Sequence, residues 1–257
     1  MYGLISTRIQ LCGPLVVQLR GEQLKADLPG KQGKVLFAYL VLNRTRHIER
    51  DELLNVLWAQ MLPMASESSL NALISKLRKA LGSEVLRGRS AIRLDLDDDA
   101  WVDCEAAREG LHRAEAALVQ KDWFATYSAA NVAQKVARRR FLLGLGNDSP
   151  WVEDTRRQIS EMLLPALEYE ATACFNIGGT ELKGAERAAR ELIEKAPYRE
   201  AGYRLLMETL AKGGNYAEAL RIYEEVRKLF RDELGADPGP DLQALHVRLL
   251  QACDSGL

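Results

Sequence analysis

The acidic stretch DLDDD at 95–99 divides the chain into two parts with different hydrophobic patterns. Before it, short apolar runs typical of β-strands alternate with segments of helical spacing; from Trp101 onward the spacing is helical, with no convincing strand. A chain of 257 residues is long enough for two domains. We therefore expect an α+β domain over residues 1–96, followed by an all-α domain over residues 97–257.

The elements expected in the first part follow the order of a winged helix-turn-helix domain. The runs RIQLC and PLVVQL, with a turn at 20–22, predict a small antiparallel sheet. Helical spacing then begins at Lys31 and again at Arg50, and a third helix is expected between an N-cap at Ser66 and a stop at Gly82. The segment VLRGRSAIRLDL predicts a hairpin with a basic tip.

The third helix has the composition of a DNA-recognition helix. Its apolar stripe runs from Leu70 to Leu81, and no acidic residue lies between Ser68 and Gly82. A helix in the major groove needs one buried face and one face of short polar and cationic side chains without carboxylates. A solvated cationic face is the alternative interpretation. The candidate DNA-binding residues are Ser68, Asn71, Ser75, Lys76, Arg78 and Lys79 on the helix, and Arg87 and Arg89 on the hairpin.

The second part contains a weak internal repeat. KGAERAAR at 183–190 matches GNYAEALR at 214–221 with an offset of 31 residues, and KDW at 121–123 is a candidate third copy. This offset is near the ~34 residues of tetratricopeptide (TPR) repeats. The pattern predicts a TPR-like helical-repeat domain, with a plain antiparallel bundle as the alternative.

Charge is distributed unevenly along the chain. Residues 1–96 contain 14 basic and 8 acidic groups, and residues 97–257 contain 21 and 28. This asymmetry suggests an anion-binding half joined to an acidic half. Two arginine clusters at 138–140 and 156–157 lie within the acidic half; they either are solvated or hold an anionic small-molecule effector between repeat helices.

The sequence offers no catalytic, cofactor or metal motif, so we expect neither an enzyme nor a metal or cofactor. The three histidines are isolated, and the four cysteines are 70 or more residues apart, which predicts reduced thiols rather than a zinc site. Asp95, Asp97 and Asp99 have calcium-loop spacing, but Ala100 stands where glycine is needed, so we interpret them as a linker. Neither a signal peptide nor a membrane span is evident, which predicts a cytoplasmic protein.

Motifs over nearly the whole chain resemble a known family. IQLCGPLVVQLRGEQL, PGKQGKVLFAYLVLN, RDELLNVLW and ALISKLRKALG resemble an OmpR-type winged helix, as found in the SARP family of antibiotic-regulatory activators. WVEDTRRQI at 151–159 and the segment containing ELGADPGPDL resemble the bacterial transcriptional activator domain (BTAD) of that family.

The resemblance implies an activator that binds direct repeats in double-stranded DNA beside promoters. It implies a side-by-side homodimer on DNA, contact with RNA polymerase, and the positions named above on the recognition helix and the wing. The apolar residues Met61, Leu62 and Met64 either cover the core or form a partner patch. The alternative function is a helical-repeat interaction or ligand-sensor protein whose winged helix contacts other proteins.

Overall fold

The computed structural model describes residues 7–24, 28–58, 63–146 and 149–254; of residues 63–66 and 254 it describes the backbone alone. The chain forms two compact units. The first contains Met1–Ala107 and Val136–Glu161, and the second contains Arg108–Lys135 and Met162–Leu257. These units differ from the division expected at 96/97, because a later segment returns to the N-terminal part.

The first unit contains the antiparallel sheet that the sequence predicts. The strands are β1 (Arg8–Gln10), β2 (Val16–Leu19), β3 (Glu22–Gln23) and, later in the chain, β7 (Trp101–Val102). They pair in the order β3-β2-β1-β7, and Ile9 lies opposite Val17. Arg20 and Gly21 form the predicted turn with positive φ angles of 49° and 84°.

Strand β7 corrects the expectation that no strand follows residue 99. It runs parallel to β1, with Ile9 opposite Val102. Two residues are too few to show an alternating pattern, and their pairing depends on a strand more than 90 residues earlier. A local pattern in the sequence therefore contains no signal for β7.

Three helices and a second sheet complete this N-terminal part. The sheet has the order β4 (Ile48–Glu49), β6 (Ala91–Leu94), β5 (Leu86–Arg87), and β5 and β6 form the predicted hairpin. The expected N-cap at Ser66 is wrong, because the third helix begins three residues earlier, at Pro63; proline fits a first turn, where its missing N–H costs no hydrogen bond. The elements are α1 (Gly30–Leu42), β4 (Ile48–Glu49), α2 (Arg50–Trp58), α3 (Pro63–Leu81), β5 (Leu86–Arg87) and β6 (Ala91–Leu94).

The core of the first unit is shared between the N-terminal elements and the returning segment. Helix α1 is buried along most of its length, and Leu70 and Leu77 of α3 are fully buried. The Trp151 ring makes edge contacts with Tyr39, at 5.0 Å between centroids, and with Phe141, at 5.8 Å. Aromatic contacts of this kind contribute about 0.5–1.5 kcal/mol each beyond the area they bury, so the 136–161 segment belongs to this unit energetically as well as spatially.

The rest of the chain is helical, as its spacing predicts. The helices are α4 (Asp103–Val119), α5 (Trp123–Ala137), α6 (Pro150–Glu161), α7 (Leu163–Ile177), α8 (Leu182–Lys195), α9 (Glu200–Lys212), α10 (Tyr216–Leu234) and α11 (Pro240–Asp254). From α7 to α11, each helix packs on the next. The two repeat copies fall on α8 and at the start of α10, where the equivalent residues Ala188 and Ala219 are buried in one apolar cluster. Within the described ranges, no helix combines the length and apolarity needed to span a bilayer.

No side chain of the apolar segment at 61–64 is among the described residues. Met61 and Leu62 lie outside the described residues, and so does the side chain of Met64. Both interpretations of that segment therefore stay predictions.

Candidate nucleic-acid interface

One face of α3 is exposed and carries most of the candidate residues. Leu70, Ile74 and Leu77 are buried on the opposite face, at 0%, 3% and 0% exposure. This arrangement follows from apolar positions three and four residues apart, which form one stripe along a helix. The exposed candidates on α3 are Ser68, Asn71, Ser75, Lys76 and Lys79.

Arg78 differs from the other cations of α3. It is half-buried, and its guanidinium Nε donates a hydrogen bond to the carbonyl oxygen of Leu86 at 3.1 Å. A second bond runs from Nη2 to the carbonyl oxygen of Gly88. Both acceptors belong to the β5–β6 hairpin, so Arg78 connects the hairpin to α3.

The hairpin arginines occupy two different environments. The Arg87 guanidinium lies 3.1 Å from the Asp95 carboxylate, and its Nε donates to the carbonyl oxygen of Glu84 at 2.9 Å. Arg89 lies at the exposed tip. Asp95 therefore reduces the positive charge at the base of the hairpin, while the tip retains it.

Arg50 of α2, which the sequence did not single out, connects α3 with the tip of the β5–β6 hairpin. Its Nη2 donates to Glu67 Oε2 at 2.7 Å and to Asn71 Oδ1 at 2.8 Å. Its Nη1 donates to the carbonyl oxygen of Arg89 at 3.3 Å. The one signal in the sequence was an arginine at the first position of a helix, where the helix dipole disfavours a cation; such a residue needs acceptors from elsewhere in the fold.

A partly exposed polar cluster joins α2 to α1 and to the turn that follows α1. The Tyr39 hydroxyl and the Arg46 guanidinium both donate to the Glu52 carboxylate. The hydrogen bond from Arg46 lowers the pKa of Glu52, against the opposing effect of burial. The cluster fixes the start of α2 and with it the position of Arg50.

Two cysteines and an aspartate meet in the interior, which the spacing of the cysteines does not predict. Cys12 Sγ lies 3.6 Å from Cys104 Sγ, and the Asp103 carboxylate accepts N–H groups from Leu11, Cys12 and Cys104. The hydrogen bond with Cys12 and then burial raise the pKa of the Cys104 thiol, and burial raises the pKa of Asp103. The hydrogen bonds to Asp103 fasten the end of β1 to the start of α4, and we assign the cluster a structural role.

The aspartates of the acidic stretch have structural partners. Asp95 pairs with Arg87, and Asp97 accepts a hydrogen bond from the Thr7 hydroxyl at 2.7 Å. Among the described residues, the one group of three metal-ligand side chains is the cluster around Asp103. The acidic stretch lies within the first unit, where Asp95 attaches it to the hairpin and Asp97 to the residue before β1.

The two arginine clusters line a common cleft of about 480 Å³, together with Glu153 and Ser160. The cleft lies within the first unit, not between repeat helices as expected. Arg156 donates to the carbonyl oxygens of Phe141 and Leu145, and Arg157 pairs with Asp154. The arginines that line this cleft are Arg138, Arg139, Arg140, Arg156 and Arg157.

Comparison with known proteins identifies the family. The model of the bacterial transcriptional activator domain matches residues 102–250, more than half of the chain. The regulatory protein AfsR of Streptomyces coelicolor is 32% identical over 95% of the chain, and the transcriptional regulatory protein EmbR of Mycobacterium tuberculosis is 30% identical over 94%. The chain spans 24% of the length of AfsR and 62% of that of EmbR.

A solved structure shares the fold. The structure of Mycobacterium tuberculosis EmbR in complex with a low-affinity phosphopeptide superposes with a TM-score of 0.75 at 24% identity, covering 96% of this chain and 65% of that one. The shared fold has a mostly helical part after an N-terminal α+β part. It belongs to the bacterial transcriptional activator domain family and, with AfsR and EmbR, to the SARP family of transcriptional regulators.

Proposed function

We propose that the protein is a transcriptional activator that binds specific double-stranded DNA through α3 and the β5–β6 hairpin. In this proposal the N-terminal part is a winged helix, α3 is its recognition helix and the hairpin is its wing. The observation that carries the proposal is the exposed face of α3, which has no carboxylate from Ser68 to Leu81, beside a hairpin that Arg78 and Arg50 hold in place.

The candidate residues then take different roles. Ser68, Asn71 and Ser75 present short polar groups to base edges, and Lys76 and Lys79 neutralise phosphates. Arg89 reaches the adjacent minor groove from the exposed tip. Arg78 and Arg87 have partners within the protein, so we assign them to positioning the hairpin rather than to the main phosphate contacts.

The helical part, residues 97–257 in this proposal, supplies contacts to a second protomer and to RNA polymerase. Support comes from its match to an activator domain and from stacked helices of the kind that TPR-like proteins use as binding surfaces. Two protomers on direct repeats lie on the same face of the DNA when the repeats are about 10.5 bp apart. A regulator of this kind acts in the cytoplasm.

The test is to sequence the genomic fragments that the purified full chain retains. We expect enrichment of promoter-proximal fragments that contain a direct repeat with spacing near one helical turn. Retention of fragments without a common sequence contradicts specific binding. A stable protein partner without any retained DNA supports the alternative, in which the winged helix contacts proteins.

A second candidate function is binding of an anionic effector in the arginine cleft. It is favoured by the exposed Arg138, Arg139 and Arg140 along one open cleft, whose other two arginines have partners within the protein, because arginine matches the geometry of phosphate oxygens. The probe is a nucleoside triphosphate, with inorganic phosphate for comparison. If the nucleotide raises the unfolding temperature of the unaltered chain but not that of Arg139→Ala, the effector site is supported. The same rise in both proteins contradicts it.

A further inference from the structure

We propose that Arg50 fixes the orientation of the Asn71 amide, so that Asn71 meets DNA as a hydrogen-bond donor and selects guanine over adenine. The inference rests on the proposed function and deepens it, because it assigns base preference to a pair of residues on two different helices.

The geometry of the pair is restrictive. Arg50 is the first residue of α2, and its side chain is 22% exposed. Its Nη2 lies between Asn71 Oδ1, at 2.8 Å, and Glu67 Oε2, at 2.7 Å. Its Nη1 reaches the carbonyl oxygen of Arg89 at the hairpin tip. One guanidinium is thus attached to α3 at two points and to the hairpin at a third.

The chemistry of arginine determines which end of the amide faces it. A guanidinium donates hydrogen bonds and accepts none, so the amide oxygen of Asn71 must face Arg50. The amide nitrogen then lies on the opposite side of the planar group. Asn71 is exposed, and among the described residues its Nδ2 has no hydrogen-bond partner, so the two N–H donors of Nδ2 are free for DNA.

This orientation changes which base Asn71 matches. An unrestrained asparagine pairs with adenine through two bonds: its oxygen accepts from N6 and its nitrogen donates to N7. In this protein the Arg50 cation occupies one side of that oxygen, which weakens the bond to N6. Guanine presents two acceptors, N7 and O6, in the major groove. The Arg50–Asn71 pair offers the two N–H donors of Nδ2 and an amide oxygen that Arg50 already engages, and it therefore fits guanine better.

Glu67 keeps Arg50 available for this role. Its carboxylate shares Nη2 with Asn71, so the positive charge of Arg50 is compensated on the protein side. Arg50 is consequently held in place by the fold and is less available for transfer to a DNA phosphate. The base preference of Asn71 is then a property of the folded protein before DNA binds.

The experiment is a selection of bound sequences from a random pool by the full chain and its variants. The chain itself is expected to select guanine at one position, and Asn71→Ala is expected to lose that preference. Arg50→Met keeps the aliphatic stem and frees the amide, so the adenine-to-guanine ratio at this position should rise about tenfold, near the discrimination of one good base contact. Arg113→Met is the control: it removes an exposed, ion-paired arginine of α4 to which no DNA contact is assigned, and it should leave the ratio unchanged.

Three results would overturn the inference while leaving the proposed DNA binding intact. The unaltered chain could select adenine, the ratio could be unchanged in Arg50→Met, or no position in the selected sequences could depend on Asn71. If the unaltered chain enriches no sequence, the proposed function fails as well. Circular dichroism checks that Arg50→Met is folded; if it is not, Arg50→Lys, which keeps the charge but not the planar donor group, should raise the ratio by a smaller factor.

Discussion

Arg78 and Lys79 are neighbours in the sequence, but their side chains have different surroundings. Arg78 donates to two carbonyl oxygens of the hairpin, whereas Lys79 is exposed. The sequence predicts both as phosphate contacts, because helical spacing places both on the polar side of α3. Whether a cation faces solvent or a neighbouring hairpin depends on tertiary packing, which the local sequence does not contain.

Substitution of Arg78 should therefore affect stability and DNA binding together. Arg78→Ala removes two charge-assisted hydrogen bonds and is expected to cost about 1.5–3 kcal/mol of unfolding free energy. Because the hairpin is displaced, DNA affinity falls, while the dependence of affinity on salt is unchanged. Lys79→Ala is the control, with unchanged urea unfolding and a weaker salt dependence. Equal behaviour of the two variants would contradict these roles.

Glu52 gives the fold a defined response to acid. The hydrogen bond from Arg46 lowers the pKa of Glu52, so the folded state favours the charged carboxylate. The stabilisation is present above the ordinary pKa of 4.5 and is lost as the pH falls through the lowered pKa.

Glu52→Gln should thus destabilise the protein by about 1 kcal/mol at neutral pH, a value that allows for solvent screening of the partly exposed pair. The difference from the unaltered chain should shrink below pH 4.5. Urea unfolding at several pH values measures it, with the exposed Glu49→Gln as control. A difference that is constant down to low pH would show that the pair does not act through charge.

At the scale of elements, the β5–β6 hairpin depends on its turn. Gly88 has φ of +94°, and a Cβ at this position would lie 1.8 Å from the carbonyl oxygen of Ala91. Gly21 in the first sheet has φ of +84° but no atom within 4 Å of an added Cβ. Substitution of alanine at Gly21 therefore tests backbone strain alone, whereas substitution at Gly88 tests strain and steric overlap together.

Gly88→Ala is expected to cost about 2–4 kcal/mol, since strain and overlap act together. Gly21→Ala should cost about 1–2 kcal/mol, from strain alone. Urea unfolding of both variants provides the comparison. If Gly88→Ala cost no more than Gly21→Ala, the hairpin would have to adopt a different turn.

Elements long enough to repeat their hydrophobic pattern, or joined by a recognisable turn, were predictable from the sequence. Short strands that exist because a remote strand pairs with them were not. Helices α1, α2 and α3 and the β5–β6 hairpin follow from apolar spacing and turn residues. Strands β4 and β7 have two residues each and exist because β6 and β1 pair with them. The contact between Cys12 and Cys104 was unpredictable for the same reason, since β1 and β7 bring the two residues together.

At the scale of the molecule, the charge asymmetry is weaker than the sequence division indicates. The first unit contains 19 basic and 17 acidic residues, a net charge of +2, and the second contains 16 and 19, a net charge of −3. The acidic residues at 97–107 account for much of the change from the +6 of residues 1–96. Net charge alone therefore does not identify the DNA-binding part, and the argument rests on where individual cations lie.

The returning segment makes the stability of the first unit depend on residues far along the chain. Trp151→Ala removes the ring that contacts Tyr39 and Phe141 and should cost about 2–4 kcal/mol. Hydrogen exchange of the α1 amides is the measurement, and it should accelerate. Leu143→Ala, at an exposed site on the same segment, should have little effect. Unchanged exchange in Trp151→Ala would contradict the inclusion of this segment in the first unit.

The most direct test of DNA docking through α3 is the salt dependence of binding to an enriched fragment. The full chain and its Lys76→Ala/Lys79→Ala variant are titrated by fluorescence anisotropy between about 50 and 200 mM salt. Each lost phosphate contact lowers the slope of log affinity against log salt by about 0.9, so the account predicts weaker binding and a slope smaller by about 1.8. Unchanged affinity and slope in the double variant would show that α3 does not face the DNA backbone.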